Sequence, residues 1–374
     1  MRILFAAGGT AGHINPAIAI ADAIREKNAN AEILFVGTPE GMEAQLVPKA
    51  GYHFFPIKVH GFQRSISFKN IERNFKAAYR VFTSNFDAGR ILKRFRPQLV
   101  IGTGGYVSGP VLRKAAQLGI KTAIHEQNAY PGVTNKMLAK QVDLVMLAVE
   151  EARKLLPQAA KTVVVGNPIR KSILFKSKEQ ARKELGIDQS FCILSFGGSL
   201  GAAKVNEIAA DVMQWHCSLH SINHIHATGK LGKESFAQML KDRNINPNHY
   251  NRLKIETYID QMDTCLAAAD LVICRAGAIT LSELEATGSA SVLVPSPYVA
   301  ENHQYHNALV LQNHRAAIVV EEKDYNRQKL LQQIEDFYNH PSKLKEFSKN
   351  ASALAIVDSC ERIYQYLQEL ISLC

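Results

Sequence analysis

Two stretches of the 374-residue chain run an apolar strand into glycine and then into a helical pattern: ILFAAGGTAGHINPAIAIADAI from residue 3 and CILSFGGSLGAAKVNEIAADV from residue 192. Glycine at a strand-to-helix turn lets backbone N–H groups come close to an anion, and the helix N-terminus behind it carries about half a positive charge. Each turn therefore suits phosphate. A dinucleotide fingerprint needs G-x-G-x-x-G and an acid closing the second strand, whereas residues 8–13 read GGTAGH and the second strand ends VGTPE. No G-x-x-x-x-G-K-[ST] occurs either. Hydride transfer and P-loop hydrolysis are disfavoured, which leaves phosphate held by backbone amides and arginine.

The elements that must position these turns are legible along the whole chain. RILFAA, AEILFVG, PQLVIGTGG, KTAIHEQN, DLVMLAV and KTVVVGN alternate with helical patterns, followed by FCILSFGG, INHIHATG, LKIETYI, DLVICRAG and ASVLVPS. Such short runs, apolar on both faces, are expected of parallel strands covered by helices. The length suits two domains of about 150 to 200 residues, and the duplicated turns predict two αβ halves facing one cleft. We place the halves at 1–166 and 167–340, with 341–374 packing back on the first. Ligands of open parallel sheets bind beyond the strand C-termini, where the loops gather.

The composition, 47% hydrophobic and 21% charged, is that of a globular chain. Met1 leads straight into a strand and no 18-residue apolar run appears, so the chain is expected in the cytoplasm and across no membrane. Cys192, Cys217, Cys265, Cys274, Cys360 and Cys374 lack CxxC spacing and read as reduced, mostly buried thiols. Of the net charge of +10, residues 58–96 supply most, with ten basic residues against Glu72 and Asp87. There Ile71, Phe75, Tyr79, Phe82 and Phe86 form an aromatic stripe flanked by Lys69, Arg73, Lys76 and Arg80. A basic amphipathic helix of this kind either packs on a core with a solvated back or docks on an anionic membrane surface. Nucleic acid ranks below both, because no nucleic-acid-binding motif accompanies the charge.

GGTAGHINPA, GTGGYVSGP, HEQNAYPGVTNK, GNPIR, GGSLGA and ICRAGAITLSELEATG with NHQYHNAL together resemble the MurG family of bacterial cell-wall glycosyltransferases, through nearly the whole chain. The resemblance implies a GT-B fold, with two Rossmann-like parallel-sheet domains. It also implies inverting transfer of N-acetylglucosamine from UDP-N-acetylglucosamine to the C4 hydroxyl of lipid-linked MurNAc-pentapeptide, giving lipid II for peptidoglycan. The C-terminal half is then expected to hold the UDP-sugar and the N-terminal half the diphosphate-lipid acceptor. The implied location is peripheral, on the cytoplasmic face of the plasma membrane, with Lys69, Arg73, Phe75, Lys76, Tyr79, Arg80 and Phe82 as membrane contacts and other cell-wall synthesis proteins as partners.

Such a transfer needs a base, a sugar pocket and a counter-charge for the departing diphosphate. His13 ends the first glycine turn, and an imidazole with an ordinary pKa near 6.5 can accept the hydroxyl proton. It is the base candidate; the alternative is that it caps the helix or binds acceptor phosphate. The resemblance groups Gly9, Gly12, His13, Gly104, Gly105 and Tyr106 at the acceptor diphosphate, and Thr10, Ala11 and Gly12 at the sugar-nucleotide. Ala11 stands where many relatives have glycine. Arg170 offers a permanently charged planar fork, and Ser199 with the amides of Gly198–Gly201 opens a helix, so together they could neutralise leaving UDP; a surface ion pair and an N-cap are the plainer readings. Asn128 can both donate and accept toward a sugar, or form an Asx turn. By resemblance Glu283 takes the ribose hydroxyls, with Ala278, Ile279, Thr280, Leu281 and Ser282 around it. Gln304 takes donor-sugar hydroxyls and Ile259 lines the uracil pocket. His303 stands where relatives often have glutamine.

His216 and His220 show helical metal spacing and His224 and His226 alternate on a strand, but no further ligand completes a site, so structural or surface roles are expected. Neither a metal nor a cofactor is expected, since no carboxylate cluster adjoins the glycine turns. Two other readings remain. Another GT-B enzyme, such as a UDP-N-acetylglucosamine 2-epimerase, would keep the donor half without GTGGYVSGP and the basic aromatic segment. A non-enzymatic membrane-binding module would not need Arg170, Ser199 and Glu283 together.

Overall fold

The computed structural model describes residues 1–57, 87–158, 160–174, 176–217 and 221–372. The aromatic, basic stretch 69–86 lies outside them, as do His220 and Cys374. Two compact units emerge: Met1–Pro168 with Asp358–Cys374, and Ile169–Val357.

The first unit is a seven-stranded, all-parallel sheet. Its strands are β1 Arg2–Ala7, β2 Glu32–Gly37, β3 His53–Pro56, β4 Leu99–Gly104, β5 Lys121–Glu126, β6 Leu144–Leu147 and β7 Thr162–Val164. Their spatial order is β3-β2-β1-β4-β5-β6-β7, so the order reverses between β1 and β4, the place where open α/β sheets bind ligands. Side chains alternate between two apolar layers. Ile3 and Phe5 face the helices Ala11–Lys27 and Ser359–Ser372, whereas Leu4 and Ala6 face Val107, Val111 and Leu112. Phe5 stacks on Phe35 at 4.9 Å between ring centres.

The second unit is a six-stranded parallel sheet in the order β10-β9-β8-β11-β12-β13. It comprises β8 Cys192–Phe196, β9 Asn223–Ala227, β10 Leu253–Glu256, β11 Leu271–Cys274, β12 Ala290–Leu293 and β13 Ala317–Val319. Its order reverses between β8 and β11.

Two short edge strands, HFFP at β3 and AIV at β13, are absent from the sequence reading. Each has only three or four residues, too few for a period to show. The C-terminal assignment is also corrected. Helix Pro341–Leu354 packs inside the second unit, where Leu344 joins the core of Leu330, Ile334 and Phe337. The chain returns to the first unit only from Asp358, where Ile363, Leu367 and Leu370 complete the core under Ala11–Lys27. Cys192, Cys265 and Cys274 are buried, Cys217 and Cys360 partly so, and all five are free thiols.

Candidate active site

In the first unit, loops after β1, β2 and β4 converge at the order reversal. Helix Ala11–Lys27 starts behind Thr10, an extended residue (φ −139°, ψ 154°) whose side chain makes no capping bond. No acid stands in the first turn of this helix, so its positive end is not neutralised from within. His13 sits in that turn, with Nδ1 3.1 Å from the Gly8 carbonyl oxygen and 3.4 Å from Thr10 Oγ1. A carbonyl only accepts, so in the neutral ring Nδ1 carries the proton and the lone pair belongs to Nε2. Gly104 lets the imidazole approach the β4 loop closely. A Cβ there would stand 2.7 Å from His13 Cδ2 and 2.9 Å from Nε2, and its φ of +114° suits only glycine. Thr103 Oγ1 donates to the His13 carbonyl at 2.8 Å. The Tyr106 ring lies beside Gly9, and its hydroxyl is 3.3 Å from Thr38 Oγ1. The fold thus brings Gly9, Gly12, His13, Gly104, Gly105 and Tyr106 together.

Asn128 lies in the same unit, after β5. Its backbone N–H and its Nδ2 both donate to Glu126 Oε1, at 3.0 and 3.1 Å, while Glu126 Oε2 accepts from Gly132 N at 2.9 Å and Asn135 Nδ2 at 2.8 Å. One buried carboxylate therefore shapes the whole loop. Beside it His125 is fully buried, with Nε2 2.9 Å from the Gly166 carbonyl and Nδ1 accepting from Gln127 Nε2 at 3.0 Å. Burial pushes its pKa below the ordinary value, against the opposing influence of Gly166 and Glu126.

In the second unit, β8 opens into the turn Gly197–Ala202. Gly198 O accepts from Gly201 N at 3.0 Å, Ser199 O from Lys230 N at 3.2 Å and Leu200 O from Leu231 N at 3.1 Å. The turn is thereby laced to the one following β9. Helix Ala203–His216 begins behind Ala202, again without a side-chain cap or a first-turn acid. Ser199 is exposed in the turn, three residues before the capping position, so it does not act as an N-cap.

Arg170 and Glu283, 113 residues apart, hold each other: Nε and Nη2 of Arg170 are both 3.0 Å from Glu283 Oε1. The arginine side chain is half exposed and the glutamate nearly buried. Burial raises the Glu283 pKa above its ordinary value, with Arg170 opposing and Asp263 adding to the rise. Glu283 belongs to the second turn of helix Ala278–Thr287, whose first turn has no acid. Ala278, Ile279, Thr280 and Ser282 are partly exposed there and Leu281 is buried. Gln304 Oε1 accepts from Ser296 N at 2.9 Å, which leaves its Nε2 end to donate. Ile259 is buried, and Tyr258 beside it is exposed.

Elsewhere, Ser195 Oγ lies 2.8 Å from His224 Nε2 and 2.7 Å from His226 Nδ1, and His216 Nε2 lies 3.0 Å from His224 Nδ1. This network is interior: burial carries His224 well below its ordinary pKa and His226 down to about 3. A cavity of about 660 Å³ lies at the N-terminal edge of the second sheet, lined by Phe191, Asp270 and Leu344 among others, and holds none of the candidate residues. Missed by the sequence reading were Glu43 and Glu126, buried acids that set loops rather than face ligands. An acid ending the apolar strand AIHE is the one signal that pointed to Glu126.

Comparison with known proteins identifies the family. The model of the glycosyltransferase family 28 N-terminal domain matches residues 3–147, and that of the family's C-terminal domain matches residues 192–363. The UDP-N-acetylglucosamine–N-acetylmuramyl-(pentapeptide) pyrophosphoryl-undecaprenol N-acetylglucosamine transferase of Acetivibrio thermocellus is 43% identical over 99% of this chain and 98% of its own length. The protein of the same name from Clostridioides difficile is 41% identical over 100% of this chain and 91% of its own. Among solved structures, MurG of Acinetobacter baumannii superposes with a TM-score of 0.79 at 27% identity, over 98% of this chain and 99% of that one. A UDP-GlcNAc 2-epimerase from Neisseria meningitidis gives 0.66 at 11% identity, over 99% of this chain and 100% of that one, a likeness of GT-B fold alone. The chain belongs to glycosyltransferase family 28, within its MurG family of peptidoglycan-precursor N-acetylglucosaminyltransferases.

Proposed function

We infer that the chain transfers N-acetylglucosamine from UDP-N-acetylglucosamine to the C4 hydroxyl of undecaprenyl-diphosphate-linked MurNAc-pentapeptide, with inversion, yielding lipid II. The observation that carries this is the 43% identity to a transferase of that name across 99% of the chain. In the step itself the acceptor oxygen bonds to the anomeric carbon as the bond to UDP breaks. The hydroxyl proton passes to His13 Nε2, and the electron pair leaves on the diphosphate. The first-unit cluster of Gly9, Gly12, Gly104, Gly105 and Tyr106 takes the acceptor diphosphate. Arg170 and the helix starts at Ala203 and Ala278 meet the charge on UDP, and the absence of first-turn acids supports that role. No metal is assigned to this step, and turnover is expected to persist in excess chelator. The test is UDP release with donor and a lipid-linked acceptor analogue; both substrates binding without release of UDP would overturn the assignment.

For location we propose peripheral attachment to the cytoplasmic membrane face through the basic aromatic segment. Among the described residues no helix is long and apolar enough to cross a membrane. Phe75→Ser with Phe82→Ser is expected to weaken binding to anionic vesicles with an unchanged melting temperature. Loss of thermal stability instead would identify the segment as a core helix.

A further inference from the structure

Glu43, the first residue of helix Glu43–Lys49, is completely buried, and no cation pairs with it among the described residues. Burying an unpaired carboxylate is strongly unfavourable unless hydrogen bonds replace its water. Here three do: Oε1 accepts from Thr38 N at 2.9 Å and from Thr38 Oγ1 at 2.7 Å, and Oε2 accepts from Gly9 N at 3.2 Å. The chain makes room for this acid with glycine. A Cβ on Gly8 would stand 2.6 Å from Glu43 Oε1, and one on Gly37 or Gly41 would also collide with the Glu43 side chain.

The Gly9 N–H and the Gly8 carbonyl are the two ends of one peptide group. Glu43 holds the N–H end, and His13 Nδ1 binds the carbonyl end at 3.1 Å. A peptide group is planar and stiff, so turning one end turns the other. The line therefore reads carboxylate, peptide, imidazole, and each hydrogen bond polarises the next. No proton moves along it; the carboxylate orients the peptide, and the peptide orients the ring with its lone pair on Nε2. Gly105 closes the far side, where a Cβ would run into the Gly8 carbonyl.

We propose that Glu43 is a positioning residue of the transfer reaction, acting through the Gly8–Gly9 peptide to fix the tautomer and direction of the His13 imidazole. This rests on the reading of His13 as the base. In Glu43→Gln the amide NH2 must face either Gly9 N–H or Thr38 N–H, two donors meeting, so one anchor is lost while volume is kept. Displacement of a positioned group by about 1 Å can cost about 100-fold in rate. The expected result is a fall in kcat of about tenfold or more, with the KM for the UDP-sugar within about twofold. In 15N-histidine spectra the His13 signal is expected to gain Nε2–H tautomer. Gly8→Ala, which presses on the carboxylate without altering it, is expected to act in the same direction and serves if Glu43→Gln does not fold. In a His13→Ala background the Glu43→Gln loss should shrink to less than about twofold. A Glu43→Gln enzyme with wild-type tautomer and kcat overturns the proposal, and so does an undiminished loss in the His13→Ala background. If His13→Ala itself keeps wild-type turnover, the base reading falls, and the tautomer signal alone decides whether Glu43 sets the ring.

Discussion

The turn after β1 and the turn after β8 share one local pattern, strand, glycine pair, helix, yet they are braced in different ways. GGTAGH is held by side chains: Glu43 on the Gly9 amide, Tyr106 beside it, and His13 folded back on Gly8. GGSLGA is held by backbone, closed on itself between Gly198 and Gly201 and laced through Ser199 and Leu200 to the turn at Lys230 and Leu231. The first arrangement fixes a titratable ring in one tautomer. The second presents amide donors on a rigid loop and contains no titratable group of its own. A shared local pattern is thus braced by side chains in one unit and by backbone in the other, in keeping with the proposal that the first accepts a proton and the second receives an anion.

The largest expected effect breaks the comparison at its chemical end. His13→Ala should lower kcat by about 100- to 10,000-fold, the usual worth of a general base, with donor KM nearly unchanged. Steady-state UDP release reads both, and unchanged turnover removes His13 as the base. Next comes the backbone-laced turn. Gly201 has φ +89° and its Cβ would strike the Thr228 carbonyl, so Gly201→Ala carries strain of about 1 to 3 kcal/mol. It should weaken UDP binding about tenfold or more by calorimetry; unaltered affinity would show that this turn does not face the nucleotide.

A smaller effect concerns Arg170 and Glu283. Because each holds the other, Arg170→Ala and Glu283→Ala should each weaken donor binding by about tenfold, and the double variant by clearly less than the product. Strict additivity would mean the pair separates when donor binds. The gentlest is pH. Burial lowers the His224 and His226 pKa values, the latter to about 3, while the unfolded residues titrate near 6.5. The unfolded state therefore binds more protons below about pH 6.5, and stability falls as pH drops from there, by up to about 1.4 kcal/mol per unit for each histidine that stays neutral in the folded state. The first unit has one such histidine described, His125. Urea titration at pH 7.0 and 5.5 should show the second unit losing more; equal losses would refute the assignment.

Much of the site was readable because its signals are local. Glycine between strand and helix, GTGGY before a helix, and GNPIR are contiguous, and each states its own backbone geometry. Glu43 was invisible for the opposite reason: its partners Gly9 and Thr38 come from different loops, and an acid after GTPEGM reads as a surface residue. Likewise Ser199 reads as an N-cap from spacing, and only the helix start at Ala203 shows that it lies too early to cap.

The residue pattern by itself determined two parallel-sheet units, the position of their glycine turns and the family, because strand period, turn chemistry and contiguous motifs are properties of neighbours along the chain. The tertiary structure decided what those turns lean on. It returned Ile363, Leu367 and Leu370 to the first core, paired Arg170 with Glu283, and set Glu43 behind the Gly8–Gly9 peptide. Such contacts join residues tens to hundreds of positions apart, so only the packing of the sheets and their loops selects them. What began as two equivalent glycine turns became one that leans on a buried carboxylate and one that leans on the backbone of a neighbouring turn.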